Sequence, residues 1–244
     1  MGKQQEIFKV LSNYKKTLEE KGYKVIYIGL YGSQNYNLDD ELSDIDAKAI
    51  ILPTLHDIIF RKTTSKTIKN ETGEIDVKDV VTYYEVVKKG NFNFIEPLQT
   101  IYFIGDKKIR EMFCNVKPNL KSIYGAMLEK RKALTHEYPS KVEEFKKWGF
   151  DPKQLHHIMR LYDLLKSTTD KSYLVYENEN QTHLIRVKRN IDNYYKKEQA
   201  EFIADNIIIN AMQLIPDDYK YEPINIDDEI SKYIEDNIKK EWYY

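Results

Sequence analysis

Leu30-Tyr31-Gly32-Ser33 and, after a short loop, Asp44-Ile45-Asp46 decide how this chain is read. The residues leading into the first stretch, Val25-Ile26-Tyr27-Ile28-Gly29-Leu30, form a dense apolar and partly β-branched run, which predicts a buried strand. Gly32-Ser33 ends it. A glycine lets a backbone N–H approach an anion closely and a serine adds a hydroxyl donor, so the pair suits a terminal phosphate. A second strand is expected from Asp44 to Leu52. Alternation along it puts Asp44 and Asp46 on one face and Ile45, Ala47 and Ala49 on the other. Two carboxylates on one face repel each other unless a cation neutralises them, and oxygen ligands of this kind suit Mg²⁺ or Mn²⁺.

A two-metal site calls for a third carboxylate on a neighbouring strand. Glu74-Ile75-Asp76-Val77 supplies two candidates on one face, with Ile75 and Val77 on the other. Asp76 lies deeper in the strand, whereas Glu74 adjoins the turn-like Glu71-Thr72-Gly73 and is expected to be solvated. Asp76 is therefore the preferred third acid.

Outward from this region, Ile7, Val10, Leu11, Tyr14 and Leu18 recur at helical spacing, predicting an amphipathic helix from about Lys3 to Lys21 that Gly22 terminates. Asp79 opens a helix that runs to Lys89 and stops at Gly90. Beyond Gly105 the pattern is mainly helical, near Asn119 to His136, Ser140 to Trp148, Pro152 to Ser167, Lys197 to Leu214 and Asp227 to Trp242. The fold class expected is α+β, with a small mixed sheet backed by helices in residues 1–115 and a mainly helical domain in 116–244. Gly105, Asp106 and Pro118 punctuate the boundary. On the helix from Pro152, Leu155, Ile158, Met159, Tyr162 and Leu165 gather on one face while Lys153, His157 and Arg160 gather on the other, a uniformly basic stripe.

Composition narrows the partners. At 244 residues the chain buries a sizeable core, and a net charge of -1 leaves no global nucleic-acid footprint. Lys62, Lys66 and Lys69, and the cluster Arg186, Lys188 and Arg189 followed by Tyr194 and Tyr195, are local exceptions of the kind that bind single strands. No apolar run approaches the length of a membrane span. The opening Met1-Gly2-Lys3-Gln4-Gln5 lacks the apolar stretch of a secretory leader, and Glu6 stands where a myristoylation signal needs Ser or Thr. Cys114 stands alone, which excludes an intrachain disulfide and agrees with a reducing cytoplasm; it is expected to pack as a core thiol. The 20 tyrosines and the many Lys, Ile and Asn residues carry the compositional mark of an AT-rich genome.

Gly-Ser, a short spacer, Asp-x-Asp and a later single acid on a strand resemble the DNA polymerase β type nucleotidyltransferase superfamily. More narrowly, the chain resembles a family of predicted nucleotidyltransferases common in bacteria and their phages. The similarity rests on Gly32-Ser33, Gln34 to Leu38, Ser43 to Asp46, Glu74 to Val80, Lys89 to Leu98 and Lys153 to Leu161, more faintly on Leu184-Ile185-Arg186, so it spans about Tyr23 to Arg186. Asn37 and Phe92 depart from the family's glycine and proline. The resemblance implies an enzyme that moves a nucleoside monophosphate from an NTP, ATP most simply, to an acceptor hydroxyl with release of pyrophosphate. It implies two Mg²⁺ or Mn²⁺ ions on Asp44, Asp46 and Asp76, with Asp76 also as general base. Gly32, Ser33, Lys153, His157 and Arg160 would hold the nucleotide, with Arg186 a lesser candidate. The acceptor is left open among an RNA 3′ end, a small molecule and a protein hydroxyl, and the alternative is a catalytically silent nucleotide-binding or antitoxin-like module.

Overall fold

The computed structural model describes residues 2–40, 43–113, 115–169 and 181–242. Cys114, expected in the core, lies outside them. The chain divides into two compact units, one made of residues up to Asn35, Asp40–Val116 and Glu222 onward, the other of Tyr36–Asp39 and Lys117–Tyr221.

The first unit is built on five strands: β1 (Lys24–Tyr31), β2 (Asp46–Leu52), β3 (Ser65–Asn70), β4 (Gly73–Asp79) and β5 (Phe103–Gly105). Their order is β3-β4-β2-β1-β5, antiparallel except for the parallel pair β2 and β4. This is the mixed sheet expected of an α+β chain. β1 and β2 are buried almost throughout because both sheet faces are covered, which is why they read as continuous apolar runs rather than as alternation. Helix α1 (Lys3–Glu20) covers one face, setting Ile7, Leu11, Tyr14 and Leu18 against Ile28, Leu30, Ala49 and Val77. The short α2 (Leu55–Ile59) follows β2 and opens with a capping box between Thr54 and Asp57.

The opposite face carries α3 (Val80–Lys88), α4 (Phe92–Gln99) and α5 (Lys107–Met112). Asp79 caps α3 by accepting from Thr82 N–H. Gly29 of β1 is required by α4: a Cβ there would lie 2.2 Å from the Pro97 carbonyl oxygen, which Tyr27 Oη also reaches at 2.8 Å. The sheet thus brings α4 against its surface at a single bare position.

The second unit contains α6 (Leu120–Leu134), α7 (Val142–Trp148), α8 (Pro152–Thr169), α9 (Gln181–Arg189) and α10 (Lys197–Gln213). α8 is its centre and packs on α6, α9 and α10. Asp151 begins α8, its Oδ1 accepting from Lys153 N–H at 3.0 Å and its Oδ2 from Gln154 Nε2 at 2.9 Å.

The division differs from the expected split at residue 115, because α11 (Asp227–Trp242) belongs with the sheet. Ile226, Ile230, Tyr233 and Ile238 bury into the cluster formed by the sheet and α3. Asp227 Oδ1 accepts from Tyr84 Oη at 2.7 Å, and Tyr233 Oη donates to Asp106 Oδ2 at 3.0 Å. Conversely, Tyr36 and Leu38 cluster with Leu184 of α9. Asn37 between them takes φ 52°, the conformation a glycine there would adopt freely and that asparagine tolerates. Among the described residues no helix is long and apolar enough to cross a membrane.

Candidate active site

Asp46 opens β2 directly opposite Tyr31, the last residue of β1, so the Gly32 turn and the second acid of Asp-x-Asp meet at one end of the sheet. Gly32 sits at φ +91°, and a Cβ on it would be 3.9 Å from Asp46 Oδ2. Asp46 Oδ1 accepts from Glu74 N–H at 3.1 Å. That contact needs the turn before β4 to come close, and Gly73 permits it at φ +150°, where a Cβ would strike the Ile45 carbonyl at 2.7 Å. Asp44 precedes the strand and is exposed. Both carboxylates reach Tyr14 electrostatically: burial raises its phenol pKa, and the charges of Asp46 and then Asp44 push it the same way.

Asp76 is differently placed. Parallel pairing sets it opposite Lys48 of β2, whose Nζ lies 3.0 Å from Asp76 Oδ2, while Lys78 Nζ lies 3.6 Å from Asp76 Oδ1. Lys48 is 8% exposed. Its ammonium rests 4.5 Å from the centre of the Tyr31 ring and 4.2 Å from that of Phe94, a cation–π seat that holds it over the sheet. Glu74, the other candidate, is more exposed and pairs with Lys69 at 3.4 Å.

Among the described residues no three His, Cys, Asp or Glu side chains are grouped to share a metal ion. The donor set of Asp44 and Asp46, hard carboxylate oxygens beside the Gly32 turn, is of the type that suits a divalent cation. The three-acid set expected from the sequence does not fit. A dication about 4 Å from the Lys48 ammonium would be repelled by about 8 kcal/mol at an effective dielectric of about 20. Asp76 is instead paired with two lysines, Lys48 and Lys78. Sequence reasoning passed over Lys48, although a lone lysine two residues after Asp46, in Asp46-Ala47-Lys48-Ala49, shares the face of the acids by simple alternation.

The Gly-Ser turn is held from below by α4. Glu96, fully buried, accepts from Gly32 N–H at 3.1 Å and from Asn35 Nδ2 at 3.2 Å through Oε1. Asn35 Nδ2 also donates to the Leu30 carbonyl at 2.8 Å, and Thr100 Oγ1 to Asn35 Oδ1 at 2.7 Å. Tyr31 Oη donates to Asn93 Oδ1 at 2.7 Å. The Gly32 N–H that the sequence offered to a phosphate is thus engaged by a carboxylate. Ser33 begins the 3₁₀ turn Ser33–Tyr36, half-buried.

In the helical unit the basic stripe of α8 is partly buried, Lys153 being exposed and Arg160 half-buried. His157 is half-buried, and burial first, then the charges of Arg160, His156, Lys130 and Lys153, hold its pKa well below normal. Arg160 lies over the Tyr36 ring at 4.5 Å. Lys130 of α6 joins this group: burial lowers its pKa, and Lys153 and Arg160 lower it further. It follows Ile123 and Met127 and precedes Leu134 at core-facing spacing, so it holds a position where an apolar residue is expected. That irregularity was the available signal for Lys130 in the sequence.

His156 is buried, its Nδ1 2.9 Å from the Leu184 carbonyl oxygen, and burial lowers its pKa to about 4. Lys188, grouped in the sequence with a nucleic-acid patch, is instead buried with Nζ on the Leu38 carbonyl at 3.0 Å. Arg186 lies 4.1 Å over the Tyr194 ring and 3.7 Å from Asp192.

No protein-family model matches the chain, and no curated protein matches it. Among solved structures it is similar to a nucleotidyltransferase-like protein from Exiguobacterium sibiricum, at 12% identity and a TM-score of 0.30 over 87% of this chain and 75% of the other.

Proposed function

We infer that the protein is a nucleotidyltransferase, moving a nucleoside monophosphate from an NTP, ATP most simply, to an acceptor hydroxyl. The observation that carries this reading is the meeting of Asp46, the exposed Asp44 and the Gly32-Ser33 turn at one end of the sheet. The hydroxyl oxygen attacks the α-phosphorus, the bond to pyrophosphate breaks, and the hydroxyl proton leaves to a nearby acceptor. Catalysis of this kind is positioning and charge neutralisation. Asp44 and Asp46 would hold a Mg²⁺ or Mn²⁺ ion, which when bound offsets phosphate charge. Ser33 donates its hydroxyl to a phosphate oxygen. Asp76, aimed by Lys48, accepts the hydrogen bond of the acceptor hydroxyl. Lys153, His157 and Arg160, with Lys130, bind the polyphosphate by charge-assisted hydrogen bonds.

The acceptor is an RNA 3′ end, a small molecule or a protein hydroxyl. Incubation with labelled ATP, CTP, GTP or UTP, Mg²⁺ or Mn²⁺ and total RNA decides the class through pyrophosphate release and the fate of the label. A second reading, a silent nucleotide-binding or antitoxin-like module, draws on the engagement of Gly32 N–H by Glu96 and of Asp76 by two lysines. It predicts nucleotide binding with neither transfer nor self-labelling under any of these conditions.

A further inference from the structure

We propose that Lys48 stands in for the second metal ion of the centre: a built-in cation that neutralises and aims Asp76, leaving one divalent ion on Asp44 and Asp46. This rests on the nucleotidyl-transfer reading. Three observations within the sheet unit carry it. Lys48 follows Asp46 by two residues on β2, so its side chain rises from the same face as the acids, and β1 offers only Gly29 opposite it. The ammonium is fixed on three sides, by Asp76 Oδ2 at 3.0 Å and by the Tyr31 and Phe94 rings. The other oxygen of Asp76 faces Lys78, which Ser65 Oγ anchors at 2.5 Å, so both carboxylate oxygens already meet positive charge.

A mobile dication has to be recruited and desolvated at each turnover, whereas a lysine seated between rings is already in place. The arrangement makes Lys48 a positioning residue. It sets the direction of Asp76 toward an acceptor hydroxyl and supplies one positive charge where a second ion would supply two. Lysine is suited to this because its charge is compact and its three donors can serve a carboxylate and an incoming oxygen together.

The test counts ions without reference to turnover. The full chain is mixed with Mn²⁺ and the α,β-methylene analogue of ATP, and the electron paramagnetic resonance spectrum is recorded. Two Mn²⁺ ions about 3.5–4 Å apart couple and give a spectrum unlike the six lines of an isolated ion. The expected result is an isolated, protein-bound ion in the wild type, kept in Asp76→Asn and lost in Asp46→Asn. Lys48→Met, by freeing the Asp76 oxygen that Lys48 holds, should then admit a second ion and show coupling. A coupled pair in the wild type that Asp76→Asn uncouples would overturn the inference while leaving nucleotidyl transfer standing. Absence of any protein-bound Mn²⁺ would sink both. A folded Lys48→Met that still holds a single ion would also overturn it; should that variant fail to fold, the wild-type and Asp76→Asn spectra decide.

Discussion

On the sheet, Lys48 and Lys78 each face an oxygen of Asp76, whereas on α6 and α8 burial lowers the pKa of Lys130 and of His157 and the like charges of their basic neighbours, Lys153 and Arg160 among them, lower it further. The first region resolves its charge internally and the second concentrates one sign. Opposite charges in contact stabilise a fold only when desolvation is offset, while like charges held together are stabilised by a ligand of the other sign. On the proposed function, the sheet region would aim Asp76 and the helical region would receive an anion.

The comparison is broken most severely at Asp46. Asp46→Asn keeps an oxygen for the Glu74 N–H but removes charge, and transfer should fall on the order of 10³-fold with thermal stability little changed. Retained turnover would remove the acid pair from the chemistry. Next comes Lys48→Met, which leaves Asp76 with Lys78 alone; urea unfolding should show a loss of about 2 kcal/mol, below the cost of breaking a fully buried pair because Asp76 is part-exposed and keeps one partner.

Acid should act on the helical region. His156 protonates near 4 in the folded chain and near 6.5 in the unfolded one, and His157 is shifted in the same direction. Between those values the unfolded chain binds more protons, so stability is full above about pH 6.5 and falls as pH drops toward 4, by about 2 kcal/mol at pH 5. Urea midpoints for wild type and His156→Gln at pH 7.5 and 5 measure this; equal acid sensitivity in the two would assign the loss to other groups.

Smaller effects sharpen the anion side. Lys153→Ala or Arg160→Ala should raise KM for nucleotide about tenfold with kcat nearly unchanged, as expected for groups that bind ground and transition states alike. Lys130→Met should stabilise the protein by about 1 kcal/mol, because it relieves burial and like-charge repulsion, yet weaken tripolyphosphate binding in calorimetry. A gain in stability with unaltered affinity would make Lys130 a bystander.

Much of this was legible in the residues. The run Val25 to Leu30 read as a buried strand and Asp44 to Leu52 as a second, alternating one, and α1, α3, α8 and α11 announced themselves by spacing and caps. β3 was not legible, since Ser65-Lys66-Thr67-Ile68-Lys69-Asn70 is polar and takes its form from pairing with β4. α4 was hidden as well, with Pro97 inside it, because its place depends on the bare Gly29 of β1. The candidate acids were visible as types and alternation. Their partners were not.

By itself the sequence determined the periodicities, and with them the α+β class, the face shared by Glu74 and Asp76, and the turn at Gly32-Ser33. These follow from local rules of extended and helical chains. Only the tertiary structure decided what each charge meets. Parallel pairing of β2 with β4 put Lys48 against Asp76, α4 carried Glu96 to Gly32 N–H, and the packing of α8 on α6 gathered its basic stripe around Lys130. Electrostatic energy depends on distance and burial across elements far apart in the chain, and no local pattern encodes either.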